Sequence, residues 1–314
     1  MKMKKERIVF LGTPKIAATI LQGLIDANYN VVAVISQPDK EIGRKKILTP
    51  TPVKEVALKN NLPIYQPISL RKDFEFLKEL KPDLLITTAY GQILPQEVLN
   101  LASINNINVH GSLLPLYRGG APIQRAIING DAKTGVSIMQ MIDKMDAGMV
   151  YATREILIDK DMNSSMLFEK MAIVGKELLL EVLPAIIDKS LKGIPQDETK
   201  VTYAWNIKKE EEKLDLNDNC KNVHNKVNGL ADNPGAYVFL NDKKLKIYKT
   251  DYSSFNDSLP IGSLKIENKN HLYVKCNDGY LELKEIQLEG KSRLQAKDFL
   301  NGINKEILIH QELK

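Results

Sequence analysis

Asn108 and His110 stand two residues apart in the run Ile107-Asn108-Val109-His110-Gly111-Ser112, so on an extended backbone both side chains share one face. A carboxamide that can donate and an imidazole that can carry a proton suit acyl transfer. Together they offer donors to a developing oxyanion and a group able to handle the proton of an attacking amine. Gly111 lets the chain leave sharply, and residues 115–122 read as an ordered loop. A lone histidine at a strand end is more often a hydrogen-bonded structural residue; the asparagine two residues away and the loop favour chemistry. Asp146 follows 36 residues later in Met145-Asp146-Ala147-Gly148, where it could orient the ring and favour its imidazolium form. An aspartate before a glycine also suits a plain turn, and Asp143 is a competing carboxylate.

The surrounding pattern gives these residues a scaffold. Residues 7–11, 31–35, 83–87 and 137–141 are short, mostly apolar runs, and 104–110 (INNINVH) reads as a further strand before the last of them. Helical spacing lies at 15–27, 51–60 and 71–80 between them, and at 166–187 after them. Such alternation predicts a doubly wound α/β domain with a mostly parallel sheet, in which ligands sit beyond the carboxyl ends of the strands. The first turn, Leu11-Gly12-Thr13-Pro14-Lys15, lacks the glycines of a dinucleotide-binding loop and has no Walker lysine, which excludes a nicotinamide-dependent enzyme. A tight turn with Pro14 opening a helix explains it. Residues 190–206 show little periodicity and read as a linker. A helical patch at 220–227 is followed by β-rich pieces at 236–240, 244–250, 262–266, 271–276 and 280–288. Turn residues separate these pieces, which predicts a small antiparallel, OB-like β-barrel closed by a helix over 293–303. The expected division is 1–189, a linker at 190–207, and 208–314.

Composition narrows the class. Of 314 residues, 43% are hydrophobic and 26% charged, values that exclude a disordered, collagenous or coiled-coil chain. The two cysteines, Cys220 and Cys276, exclude a disulfide scaffold and a cysteine-built zinc site, and suit a reducing compartment. The four histidines form no HxH or HExxH pair, so no metal is expected. The start of the chain lacks a signal-peptide core, and no run is long enough to span a membrane; a cytoplasmic location is expected. Net charge is +5, but residues 1–60 carry 11 basic against 5 acidic side chains, leaving the remainder near −1. Contact with a polyanion is therefore expected at a local basic loop, and Arg44, Lys45 and Lys46 between Pro38 and Pro50 are its candidates.

Seven segments resemble, in order, the 10-formyltetrahydrofolate-dependent formyltransferases, and among them the methionyl-tRNA formyltransferase family. They are FLGTP (10–14), SQPDKEIGRKK (36–46), PTPVKEVA (50–57), AYGQILP (89–95), INVHGSLLPLYRGGAPIQRAI (107–127), GVSIMQM (135–141) and MDAG (145–148). The likeness continues more weakly through QDETKVTYA (196–204) and the β-rich end.

The resemblance implies a Rossmann-like formyltransferase fold and transfer of a formyl group from the co-substrate 10-formyltetrahydrofolate to initiator Met-tRNA. Asn108, His110 and Asp146 match the catalytic trio. Ser112, Leu113, Leu114 and Pro115 match the folate-lining stretch, and Tyr90, Gly91, Ile93 and Leu94 a wall of the pterin pocket. The loop with Arg44, Lys45 and Lys46 matches the element that engages the acceptor stem, and the barrel matches the domain that holds tRNA. A monomer is expected. Two departures stand out: Met149 follows Gly148 where the family usually has an acidic residue, and the basic loop lacks a second glycine after Arg44. The alternative acceptor is a small amine, glycinamide ribonucleotide or an amino sugar.

Overall fold

Uninterrupted apolar residues build strands that are buried on both faces, and the first of them, β1 (Ile8–Gly12), is buried throughout. The structure is a computed structural model describing residues 5–43, 45–255 and 257–314. After β1 come α1 (Lys15–Asp26), β2 (Val31–Ile35), β3 (Lys40–Ile42), β4 (Ile47–Thr49), α2 (Pro52–Lys59) and β5 (Ile64–Tyr65). Next are α3 (Glu75–Leu80), β6 (Leu84–Thr88), α4 (Gln96–Leu99), β7 (Asn105–His110), α5 (Pro122–Ile128), β8 (Lys133–Gln140), β9 (Val150–Leu157) and α6 (Ser164–Ile187). The last third holds α7 (Cys220–Leu230), β10 (Ala236–Leu240), β11 (Lys243–Ser253), β12 (Leu264–Glu267) and β13 (His271–Lys275). It ends with β14 (Tyr280–Leu288), β15 (Leu294–Gln295), α8 (Ala296–Asn301) and α9 (Lys305–Leu308).

Contacts divide the chain into two compact units. One gathers the described residues up to Pro122 with Lys133–Leu157 and Phe168–Trp205; the other gathers Ile123–Ala132, Ile158–Leu167 and Asn206–Lys314. Residues 190–205, which have the texture of a linker, thus belong to the first unit. They lack periodicity because, apart from a single 3-10 turn at Glu198–Lys200, their backbone bonds go mainly to distant segments, Ile194 to Val150 of β9, Arg118 N to Thr202 O and Ala204 N to Arg118 O.

In the first unit a seven-stranded sheet runs β5-β2-β1-β6-β7-β8-β9. The five strands from β5 to β7 are parallel, and β8 and β9 are antiparallel additions at one edge. The run expected at 137–141 is the end of a longer strand, β8. Strand β9 has no counterpart in the sequence reading, because an edge strand alternates exposed and half-buried residues and carries no apolar run. On one face, Val9, Leu11, Ile35 and Leu85 pack with Leu77, Val98 and Leu99. On the other, Gly175 of α6 lies against Val109, Val136 and Ile20, where a β-carbon would meet Val109 at 3.1 Å.

The second unit orders its strands β10-β11-β14-β13-β12, with β15 beside β14. Chain-end residues bridge the two open edges, Leu313 to Leu240 and Glu312 to Ser263, and so complete the barrel. This corrects the helix expected over 293–303. Residues 294–295 are a strand, α8 occupies only Ala296–Asn301, and the closing piece is extended. Cys220 and Cys276 are free and buried in this core.

Arg125 grips Glu211 with two nitrogens at 2.6 and 3.0 Å, and the Lys208 amide adds a third bond. These contacts, led by Arg125, pull the Glu211 carboxyl down from 4.5 to about 2. A depressed carboxyl contributes stability above its unfolded value and loses it as pH falls. Glu211→Gln is therefore expected to lower the melting temperature at pH 7, and the gap to wild type should close steadily as pH drops below about 4.5 toward 2. A gap that persists unchanged at acid pH would contradict this.

Candidate active site

Strand β7 ends at His110, and its alternation puts Asn106, Asn108 and His110 on one face. His110 is 5% exposed. Its Nε2 lies 3.0 Å from the Tyr117 carbonyl oxygen, an acceptor only, so Nε2 carries a proton and donates. Its Nδ1 faces Asp146 Oδ2 at 3.7 Å, within ion-pair range but longer than a hydrogen bond. The same Oδ2 accepts the Gly119 amide at 2.8 Å. The half-buried Asn108 carboxamide has no hydrogen-bond partner among the described residues. Beside it in the parallel register stands Thr87, whose buried hydroxyl is likewise without a partner among them. The trio therefore converges at the carboxyl end of the sheet. Asp143, the competing carboxylate, is exposed, and it is Asp146 that faces the ring.

Asp146 is held from behind by residues that the sequence pattern did not mark. Gln196 Nε2 donates to the carbonyls of Asp146 and Gly148, both at 2.8 Å. Its Oε1 accepts from Arg118 Nε and Nη2 at 3.1 and 2.9 Å. The Arg118 side chain is fully buried, and Glu198 neutralises it at 2.7 Å. Arg118, and then Lys144 at 3.1 Å, keep the Glu198 carboxyl below its ordinary range. Gln196→Ala should free the 146–148 backbone and lower kcat roughly tenfold, since small misplacements are costly in a preorganised site. The melting temperature should fall as well, because the buried Arg118 loses an acceptor, and steady-state kinetics beside a thermal melt would check both.

Two glycines are required by close approach. A β-carbon on Gly148 would lie 1.9 Å from the Gln140 carbonyl oxygen. One on Gly119, at φ +124°, would lie 2.7 Å from the Ala204 oxygen. Ala89, Tyr117 and Asp146 also take left-handed backbone angles, at φ of 44°, 59° and 48°. Such strain at non-glycine residues gathers where a loop must present groups in one fixed way.

The remaining predicted residues separate into buried supports and exposed surfaces. Ser112 is fully buried, and its hydroxyl donates to the Leu116 carbonyl at 2.6 Å. Ser137 donates to the Ser112 carbonyl and accepts from the Leu114 amide. Ser112 thus shapes the turn and leaves Leu113, Leu114 and Pro115, all half-buried, as its outer part. The Tyr90 ring sits in the core with Leu94; its unpartnered phenol is pushed up to about 12 by burial. Gly91 and Ile93 are exposed. The amides of Gly91, Gln92, Ile93 and Leu94 have no internal acceptor among the described residues.

Lys45 and Lys46 are exposed on the turn of the β3–β4 hairpin, while Arg44 lies outside the described residues. The hairpin replaces the irregular loop that the sequence suggested, its strands being too short to show a period. Asp39 anchors its base, paired with Lys54 at 2.6 Å and Gln66 at 2.7 Å. Those two bonds, Gln66 first, lower the Asp39 carboxyl. Among the described residues no cluster of three His, Cys, Asp or Glu could hold a metal, and no helix is long and apolar enough to cross a membrane.

Known proteins resemble the chain in sequence and in fold. The profile described as "Formyl transferase" matches residues 6–183, and "Formyl transferase, C-terminal domain" matches 206–304. Methionyl-tRNA formyltransferase of Lactobacillus gasseri is 45% identical over 297 residues, 94% of this chain and 95% of that one. HypX from Aquifex aeolicus shares the fold at a TM-score of 0.67 and 19% identity, over 95% of this chain and 49% of its own. WlaRD, a sugar 3N-formyl transferase, does so at 0.64 and 18%, over 92% and 100%. With two matching profiles and a relative this similar over nearly its full length, the chain belongs to the methionyl-tRNA formyltransferase family.

Proposed function

We infer that the chain transfers the formyl group of 10-formyltetrahydrofolate to the α-amine of methionine on initiator tRNA. The reading of the chemistry rests on one observation: an unpartnered Asn108 carboxamide beside His110, whose Nδ1 edge faces Asp146 at 3.7 Å. The acceptor is supported by the likeness to the Lactobacillus gasseri protein, which extends through the second unit.

An α-amine titrates near ~7.7–8.0 and a neighbouring ester lowers it, so much of the acceptor is neutral and nucleophilic without a strong base. Its nitrogen attacks the formyl carbon, the carbonyl becomes an oxyanion, and Asn108 Nδ2 donates to it. His110 has Nε2 committed to the Tyr117 carbonyl, so its second donor is a protonated Nδ1. Asp146 balances that charge and, directly or through a water, takes up the amine proton. Collapse breaks the bond to N10, which accepts that proton from Asp146, directly or through the same water, as tetrahydrofolate leaves.

The residues present fit the folate. The partner-free amides from Gly91 to Leu94 suit the hydrogen-bonding edge of a pterin, with Tyr90 and Leu94 as apolar backing and the 112–115 turn as the facing wall. Arg44, Lys45 and Lys46 are assigned to acceptor-stem phosphates. The first unit, with 190–205 as part of it, carries the chemistry and the second holds the tRNA, in a cytoplasmic monomer.

A transfer assay with labelled formyl donor tests the function. Initiator Met-tRNA should acquire the label, and glycinamide ribonucleotide and an amino sugar should not. Label on a small amine in preference to tRNA would overturn the reading.

A further inference from the structure

Tyr203 and Trp205 are two residues apart on an extended segment and project to the same side, where their rings stack with centroids 5.3 Å apart and planes within 8°. Trp205 is the only tryptophan in the sequence, and it is 60% exposed; Tyr203 is 48% exposed. Large aromatic rings are normally well buried, because they carry much of the apolar area a core can gain. Two of them held flat and parallel at the surface form a preassembled π face.

The backbone beneath is fixed. Arg118 N donates to Thr202 O at 2.9 Å, Ala204 N to Arg118 O at 2.7 Å, and Ala121 N to Ala204 O at 3.0 Å. Residues 117–121 are also the segment whose Tyr117 carbonyl accepts a hydrogen bond from His110 Nε2 and whose Gly119 amide donates to Asp146. The rings therefore stand on the strand that pairs directly with the support of the trio. The surface that the two rings present is aromatic. Its chemistry is stacking, which tolerates any base but needs an unpaired one.

We propose that Tyr203 and Trp205 form a stacking platform for an unpaired base at the 3′ end of the acceptor RNA, holding the strand so that its aminoacylated terminus reaches Asn108 and His110. The proposal rests on the tRNA reading above and adds to it the groups that hold the single-stranded end.

Because Trp205 is the sole tryptophan, its fluorescence reports on the platform directly. Initiator tRNA added to the full-length protein should quench it. The same tRNA shortened by its unpaired 3′ nucleotides should bind with little quenching. Trp205→Ala should raise KM for Met-tRNA about tenfold, as expected for one lost base stack, with the loss falling on KM and not on kcat; Trp205→Phe should recover most of it. An unchanged KM in the alanine variant overturns the proposal, and so does equal quenching by the shortened RNA. If wild type quenched with tRNA yet formylated none of it, the acceptor reading would fail while the platform stood.

Discussion

Asn108→Ala should lower kcat for formyl transfer by roughly 10²–10³, the usual loss when one oxyanion donor is removed. The carboxamide has no internal partner among the described residues, so deleting it breaks no hydrogen bond of the fold. Its melting temperature should therefore stay near that of wild type. His110→Ala differs in an instructive way. It deletes the ring that bonds the Tyr117 carbonyl, so a comparable loss of kcat should come with a modest drop in stability. Measured side by side, the two variants separate a donor that acts only on the reacting group from one that also braces the loop. Turnover near wild type in Asn108→Ala would remove the carboxamide from the mechanism.

Gly148→Ala is expected to be as damaging without touching a reacting atom. The new methyl would sit 1.9 Å from the Gln140 oxygen and 2.8 Å from its carbonyl carbon, and neither can rotate away, because both are backbone. The loop must shift, and Asp146, two residues earlier, shifts with it. A displacement of about 1 Å in a preorganised site costs on the order of 10²-fold in rate, and overpacking adds about 1–3 kcal/mol of destabilisation. The expected result is a kcat lowered about a hundredfold with a reduced melting temperature. An alanine variant as active as wild type would mean that Asp146 need not be held where it is.

What could be read from the sequence followed from local physics. The runs at β1, β2 and β6 are apolar because parallel strands are covered on both faces, and the spacing of Asn108 and His110 fixes their common face once β7 is a strand. Spacing alone left Asp146 and Asp143 open and only the resemblance chose Asp146; the fold gives the physical reason, placing Asp146 against the ring and leaving Asp143 exposed. The supports were invisible for a different reason. Arg118 and Gln196 are 78 residues apart, and their pairing leaves no period in either segment. The same holds for 202–204, whose hydrogen bonds all cross to 115–121, and for the chain end, where residues 312–314 complete the barrel. Edge strand β9 and the three-residue strands β3 and β4 escaped because exposure and shortness erase the pattern that marks a buried strand.

The most direct measurement is single-turnover transfer of labelled formyl to saturating Met-tRNA by a chain carrying both Asn108→Ala and His110→Ala. If the two side chains stabilise one oxyanion together, the double variant should lose little more than the worse single variant, a fall of at least roughly 10², while still binding tRNA. Transfer at the wild-type rate would show that the reaction takes place somewhere other than the carboxyl end of β7.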